Sequence, residues 1–90
     1  MDLPIKVEKI YRTAEELDDR LKGFADVSIN EDLFIKGIRI IESKKVGLYI
    51  SMPQRQGHDG KWYSRVGFLN ESIKQRMSTA ILQAYAIGDL

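Results

Sequence analysis

The sequence contains no cysteine and only one histidine among its 90 residues. The absence of cysteine excludes a disulfide framework and a thiolate metal site, and a single histidine cannot supply a zinc ligand set. The chain also lacks the roughly 18 consecutive apolar residues that a membrane-spanning helix requires, and its N-terminus has no apolar segment behind a basic head. We therefore expect one soluble domain over residues 1–90, in a reducing, cytoplasmic setting, with no metal, cofactor or membrane partner.

Motifs of enzyme active sites are also missing from the sequence. It contains no Gly-rich phosphate loop, no H-E-x-x-H, no G-x-S-x-G and no cysteine nucleophile. His58 has no partnered nucleophile and is expected to be a turn residue. The clustered acids lack the ordered ligand spacing of a calcium loop and are expected to be solvated; they are Glu15, Glu16, Asp18 and Asp19. The sequence thus predicts a non-catalytic protein without a small-molecule substrate.

Charge is distributed unevenly along the chain, although the net charge is only +1. Residues 1–42 carry 7 Lys or Arg against 10 Asp or Glu, a balance of −3, and residues 43–90 carry 7 against 3, a balance of +4. This asymmetry is compatible with ordinary scatter of solvated charges and equally with a basic surface in the second half of the chain.

Hydrophobic alternation with a period of two dominates the first two thirds of the chain, and a period near 3.6 follows. Strands are predicted at residues 5–12, 25–29, 33–41, 46–52 and 62–68, and residues 13–22 are predicted to form a polar loop or short helical turn. Asn70 is the predicted N-cap of a final helix that ends at Gly88. The predicted fold is therefore α+β: an antiparallel meander of about five strands with a C-terminal helix packed on one face.

The predicted helix has an apolar stripe that can cover one face of the sheet, formed by Ile73, Met77, Ala80, Ile81 and Ala84. The strand at residues 33–41 shows a different pattern, with apolar side chains at both odd and even positions: Leu33, Ile35 and Ile41, then Phe34, Ile38 and Ile40. A strand buried on both sides needs cover on both, so this pattern predicts a homodimer. An alternative function follows, a protein–protein interaction module that acts through its sheet edge.

Several segments in colinear order resemble the SpoVG family (stage V sporulation or septation protein G). The similarity includes an I-R-[IV]-[IV]-[DE] strand at 38–42, a G-L-[FY]-[IV]-[SA]-M-P strand at 47–53 and an Asp-Gly turn at 59–60. It covers roughly residues 20–87. The resemblance implies a small bacterial cytoplasmic regulator with a sheet packed by a C-terminal helix, which forms a homodimer and binds DNA or RNA to modulate gene expression.

The resemblance also implies where nucleic acid would bind, namely the loop after Met-Pro and the start of the helix. Where relatives have a serine and two basic residues after Met-Pro, this chain has Gln54, Arg55 and Gln56. Lys74 and Arg76 match basic positions at the start of the helix. We predict that the three cations contact phosphates and that the two glutamines read polar groups. Each cation is equally explained, taken alone, as a solvated surface charge.

Four further cations could extend the surface that contacts phosphates: Lys44, Lys45, Lys61 and Arg65.

Aromatic side chains serve base stacking and core packing alike. Core or dimer contact is the expectation for Phe24, Phe34, Trp62 and Phe68, whereas Tyr63 is expected to be exposed.

Overall fold

The computed structural model describes residues 4–13 and 20–88. Four strands form an antiparallel sheet in the order β1–β2–β3–β4: β1 (Ile5–Arg12), β2 (Leu21–Ile29), β3 (Leu33–Ser43) and β4 (Gly47–Ser51). A separate two-stranded sheet pairs β5 (Gln54–Gln56) with β6 (Trp62–Ser64), and the helix α1 spans Glu71–Ile87. The α+β fold is confirmed. The predicted fifth strand at residues 62–68 corresponds to β6. It is shorter than predicted and pairs with β5 outside the meander.

The predicted loop or helical turn of residues 13–22 overlaps the sheet, since Leu21 and Lys22 belong to β2. The acidic residues at positions 15, 16, 18 and 19 lie outside the described residues. No helix in the described part of the chain is long and apolar enough to cross a membrane.

The β2–β3 hairpin forms where the sequence predicts it. Asn30 and Glu31 have φ angles of 55° and 60°, and the Asp32 N–H donates to the Ile29 carbonyl over 3.1 Å. Positive φ at both central residues defines a type I′ turn, whose twist matches that of the flanking strands. This short turn fixes the alignment of the two central strands of the sheet.

Two bulges interrupt the sheet beside Asp26 of β2. On β1, Val7 pairs with Val27 and Lys9 pairs with Asp26, so Glu8 is an extra residue. On β3, residues 36 and 37 lie between the pairs that Ile35 and Ile38 make with β2. Gly37 has φ 82°, which favours glycine, and its N–H donates to Asp26 Oδ1 over 3.1 Å. The buried Asp26 carboxylate thus supplies the hydrogen-bond acceptor for a backbone N–H in the β3 bulge.

The bulges change which side chains face the helix. Ile35, Ile38 and Ile40 all lie in the core, although their positions in the sequence differ in parity. The mixed parity of this strand therefore reflects a bulge, and the assignment of Ile38 and Ile40 to the face of Phe34 is wrong: both lie in the core, whereas Phe34, on the other face, is 56% exposed in the single chain. The homodimer itself remains a prediction.

A single hydrophobic core lies between the sheet and α1. Its buried apolar members are Ile10, Ala25, Val27, Ile29, Ile35, Ile38, Ile40, Met77 and Ile81. The last two belong to the predicted apolar stripe, and both are fully buried. Burying an aliphatic side chain of this size contributes about 1.5–3 kcal/mol, so this one face supplies most of the driving force for folding.

Both ends of α1 are capped as predicted. Asn70 Oδ1 accepts a hydrogen bond from the Ser72 N–H over 2.8 Å, and Gly88 ends the helix with φ 80°. The last turn contains no basic residue. Arg12 of β1 takes that place: its Nη2 donates to the Tyr85 carbonyl over 2.5 Å, and its guanidinium lies 4.3 Å from the centre of the Tyr85 ring.

We expect Asp26→Ala to lower the free energy of unfolding by about 1–3 kcal/mol, because the Gly37 N–H would lose its acceptor. Asp26→Asn should cost less, since an amide oxygen at the same place can still accept that hydrogen bond. Urea denaturation followed by circular dichroism measures both. Equal losses in the two variants would contradict a role for this hydrogen bond.

Candidate nucleic-acid interface

The segment after Met52-Pro53 is a two-stranded ribbon that projects from the core. Gln54 pairs with Ser64, Arg55 with Tyr63 and Gln56 with Trp62. The Arg65 N–H extends the pairing by donating to the Pro53 carbonyl over 2.9 Å. All six residues of β5 and β6 are exposed. The sequence predicts a polar loop here, and the structure instead gives these side chains a strand backbone.

The ribbon presents two different faces, because side chains alternate along a strand and paired residues share a side. Gln54 and Gln56 share one face with Trp62 and Ser64. Arg55 lies on the opposite face with Tyr63. The structure therefore brings the two predicted glutamines together and separates them from the predicted arginine, although all three belong to a ribbon only two strands wide.

A compact turn closes the end of the ribbon. The Gly57 N–H donates to the Lys61 carbonyl over 2.8 Å, and the Gly60 N–H donates to the Gly57 carbonyl over 3.0 Å. The Gln56 side-chain amide donates to the Gly60 carbonyl over 3.1 Å. This bond holds the Gln56 side chain in place and leaves its amide oxygen available as an acceptor. His58, in the same turn, is exposed as expected.

Asp59 holds the turn together through both of its carboxylate oxygens. Its Oδ1 accepts the Lys61 N–H over 2.9 Å, and its Oδ2 accepts the Tyr63 hydroxyl over 2.6 Å. The hydrogen bond from the Tyr63 hydroxyl has the largest effect on the Asp59 carboxyl, and together with the bond from the Lys61 N–H it lowers the pKa of that carboxyl below its usual value. The same bond, aided by partial desolvation, raises the pKa of the Tyr63 phenol. The Asp59 side chain thus links the turn to Tyr63, which lies on the same ribbon face as Arg55.

Lys74 lies across a groove from the ribbon. The groove, of about 300 Å³, runs between the end of β4, the segment after β6 and the start of α1, and it is lined by Ile50, Met52, Ser64, Val66, Gly67, Phe68, Glu71 and Lys74. Lys74 therefore shares a surface with Ser64, the partner of Gln54. Glu71 lines the same groove, so an acidic group lies close to the lysine at the start of the helix.

Arg76 lies on a different flank of α1. Residues two apart on a helix do not face each other, and Arg76 lines a separate surface with Ser72, Gln75, Thr79, Ala80 and Gln83. Its Nη1 atom is buried and has no hydrogen-bond partner in the described part of the chain. The structure thus groups Lys74 with the ribbon and places Arg76 apart from both.

The sequence reasoning missed the accessibility of Trp62. Its side chain is 57% exposed and is not part of the core, and it lies on the ribbon face of the two glutamines. Tyr63 is 51% exposed, as expected. The available signal was Ser64, a small polar residue at the next alternate position after Trp62. Across residues 4–13 and 20–88, no group of three His, Cys, Asp or Glu residues could hold a metal ion.

Comparison with known proteins identifies relatives along nearly the whole chain. The SpoVG family model matches residues 3–87. A protein of Clostridium beijerinckii named for septation and SpoVG is 31% identical over 77 residues, which cover 86% of this chain and 81% of that protein. A similarly named SpoVG 1 protein of Listeria monocytogenes is 28% identical over 74 residues, covering 82% and 72%, respectively. One from Archaeoglobus fulgidus is 31% identical over 65 residues, covering 72% and 75%.

The Asp59–Tyr63 hydrogen bond predicts a pH dependence at both ends of the scale. Because the pKa of Asp59 is lower in the folded state, its contribution to stability is complete above about pH 4 and is lost as the pH falls through the folded-state pKa. Because the pKa of Tyr63 is raised, its contribution is complete below about pH 10 and is lost as the pH rises through the folded-state pKa.

The measurement is an NMR titration of the Asp59 carboxyl in the wild type and in Tyr63→Phe. We expect the Asp59 pKa to rise toward its usual value in the variant, and the carboxyl of Asp32, in the β2–β3 turn, serves as the internal reference. An unchanged Asp59 pKa in Tyr63→Phe would show that the phenol does not stabilise the carboxylate.

Proposed function

This chain belongs to the SpoVG family, and we propose that it is a cytoplasmic regulator that binds specific DNA or RNA sites through the β5–β6 ribbon and the start of α1. The observation that carries the proposal is the ribbon itself. Its strand residues are all exposed, and they present an arginine, two glutamines and two aromatic rings that the core does not use.

A two-stranded ribbon has the right dimensions for reading a duplex. The major groove of B-DNA is about 12 Å wide and admits a helix or a β-ribbon. In that groove an arginine can grip guanine through two hydrogen bonds, and a glutamine can do the same with adenine. The side chains of Arg55 and Gln54 form no hydrogen bond with a described residue, whereas one N–H of the Gln56 amide is bonded to the turn. Because strand alternation places Arg55 and Gln54 on opposite faces of the ribbon, only one of the two can meet base edges when the ribbon lies flat in the groove, and the other faces away from the bases.

Phosphate contacts would come from the cations around the ribbon. Lys61 follows the turn, Arg65 follows β6 and Lys74 lies across the adjoining groove. The one acid of the ribbon turn, Asp59, is already engaged by Tyr63 and Lys61. Glu71 opposes the binding of a phosphate beside Lys74, so we expect a moderate affinity that depends on salt.

A second candidate function is assembly with another copy of the chain through β3. The β3–β4 pairing begins only at Arg39, so the first half of β3 is paired on its β2 side alone. A groove of about 410 Å³ runs beside this free edge, lined by Leu33, Phe34, Ile35, Lys36, Pro53, Arg65 and Val66. Leu33 and Phe34 are each 56% exposed. An unpaired strand edge with apolar side chains is a template for pairing with another strand.

We expect Arg55→Gln and Lys74→Gln each to weaken binding to a duplex several-fold, and to reduce the slope of log affinity against log salt by about 0.9 for each phosphate that is no longer neutralised. Arg76→Gln, on the opposite flank of the same helix, should have a smaller effect. Fluorescence anisotropy against labelled DNA and RNA pools at two salt concentrations measures this. Trp62 is the only tryptophan, so quenching of its emission would report a ligand on the ribbon.

Lys45→Gln is the matched control for duplex binding only, because it removes an exposed cation from the β3–β4 turn, away from the ribbon. The absence of binding by the wild type, or equal losses of affinity in Lys45→Gln and Arg55→Gln, would overturn the proposed function.

If β3 mediates dimerisation, the wild type should elute as a dimer in size-exclusion chromatography with light scattering at micromolar concentration. Leu33→Lys should then shift it to a monomer, since a charge beside an exposed edge opposes strand pairing. Val46→Lys is the matched control, because Val46 is also exposed, at 71%, and lies in the β3–β4 turn. A monomeric wild type would contradict the dimer.

A further inference from the structure

The sheet face opposite α1 combines aromatic and basic side chains. We call it the open face and define it by Tyr11, Phe24, Phe34, Arg39 and Tyr49, which the strand register places on the side away from the helix, together with Lys36 of the β3 bulge, opposite Asp26. Tyr11 is 40% and Phe34 56% exposed, Lys36 and Arg39 are exposed, and the other two rings are half-buried. No described helix or strand packs over these side chains.

One cross-strand row runs through the middle of this face. Tyr11 pairs with Phe24, Phe24 with Arg39 and Arg39 with Ser51, so the row crosses all four strands. Neighbouring strands are about 4.8 Å apart, so two rings and a guanidinium lie side by side across the sheet. The Lys9 Nζ lies 5.0 Å from the centre of the Tyr11 ring and adds a cation beside the row.

The open face exposes more positive than negative charge, because one of its two acids is buried and the other lies beside a lysine. Asp26 accepts the Gly37 N–H over 3.1 Å and is 4% exposed. Glu8 accepts the Ser28 hydroxyl over 2.8 Å and lies 3.9 Å from Lys6. Neither Lys36 nor Arg39 forms an ion pair with a described residue. The face therefore presents positive charge between its aromatic rings.

Beyond Tyr49 the positive charge continues to the end of the sheet. A shallow cavity of about 490 Å³ is lined there by Tyr49, Ser43 and Glu42 together with three cations, Arg20, Lys44 and Lys45. Glu42 is drawn toward Lys22, whose Nζ lies 3.8 Å from its carboxylate. An elongated polyanion could thus meet cations from the centre of the face to its β3–β4 end.

We propose that the open face is a second nucleic-acid site, which binds unpaired bases of a single strand by stacking them on Tyr11, Phe24 and Tyr49 and holds the backbone with Arg39 and Lys36. Sheets of four strands bind single-stranded RNA by stacking bases on aromatic side chains, and basic residues interleaved with aromatic ones are what such a strand requires. This inference rests on the proposed function only for the class of ligand, since it uses a different surface.

Charge distinguishes this occupant from a second copy of the chain. A two-fold axis through the centre of the open face would bring Arg39 and Lys36 of one copy toward the same cations of the other, whereas Asp26 is buried and Glu8 lies beside Lys6 of its own chain. Juxtaposed like charges oppose association. A single nucleic-acid strand supplies both the negative charge and the flat apolar surfaces that the face can accept.

The test uses the full chain, a labelled 12-nucleotide oligouridylate and a 12-base-pair DNA duplex, with anisotropy and Trp62 emission as readouts. Tyr11→Leu combined with Arg39→Gln should weaken oligouridylate binding at least about tenfold and change duplex binding less than about twofold. Tyr11→Phe, which keeps the ring, should bind oligouridylate like the wild type. Arg55→Gln is the reciprocal control and should weaken duplex binding alone. Oligouridylate should leave Trp62 emission unchanged, since β6 belongs to the other sheet.

Several results would overturn the inference. These are no oligouridylate binding by the wild type, quenching of Trp62 by the oligonucleotide, or equal affinity in the wild type and the Tyr11/Arg39 variant. A variant that changes the oligomeric state and leaves oligonucleotide affinity intact would assign the face to a second copy instead. If the double variant does not fold, Arg39→Gln alone decides, because that side chain is exposed. Failure of the proposed function shows separately, as loss of duplex binding by the wild type.

Discussion

The register of three strands around Asp26 determines the rest of the fold. Asp26 lies on the central strand β2 between a bulge on β1 and a bulge on β3, and its carboxylate holds the backbone of the second. Each bulge inserts one residue, and a shift of one residue moves every following side chain to the other face of a sheet. Without the bulges, Ile10, Ile38 and Ile40 would point away from α1. The register therefore decides which face the helix covers and which face remains open to a ligand.

Local features of the fold could be predicted from the sequence, and features set by pairing could not. The turn at Asn30 and Glu31, the cap at Asn70 and the stop at Gly88 each depend on a few neighbouring residues with specific conformational preferences. The bulges depend on which residues of another strand lie opposite. In the sequence of β3 the bulge appears only as a break in alternation, which resembles burial on both faces, although Gly37 within a strand is a recognised sign of a bulge.

In the candidate site, too, local features could be predicted from the sequence and features set by tertiary contacts could not. Pro53 predicts the end of β4, and β4 does end before it, at Ser51. The strand character of Gln54, Arg55 and Gln56 could not be predicted, because β-propensity reflects packing on a half-buried surface and these residues pack on none. Helical geometry alone separates Lys74 from Arg76. Which of the two approaches the ribbon depends on how α1 crosses the sheet, and no local pattern contains that information.

The contact between Arg12 and the last turn of α1 also has a consequence for how the chain is made. It joins residues 73 positions apart, one in the first strand and one in the helix. During synthesis from the N-terminus, the hairpins of the meander can form while their apolar side has nothing to pack against. Only after α1 has left the ribosome can the helix dock and its C-terminus reach β1. The nascent sheet thus exposes its apolar side until α1 has been synthesised, an interval in which aggregation competes with folding.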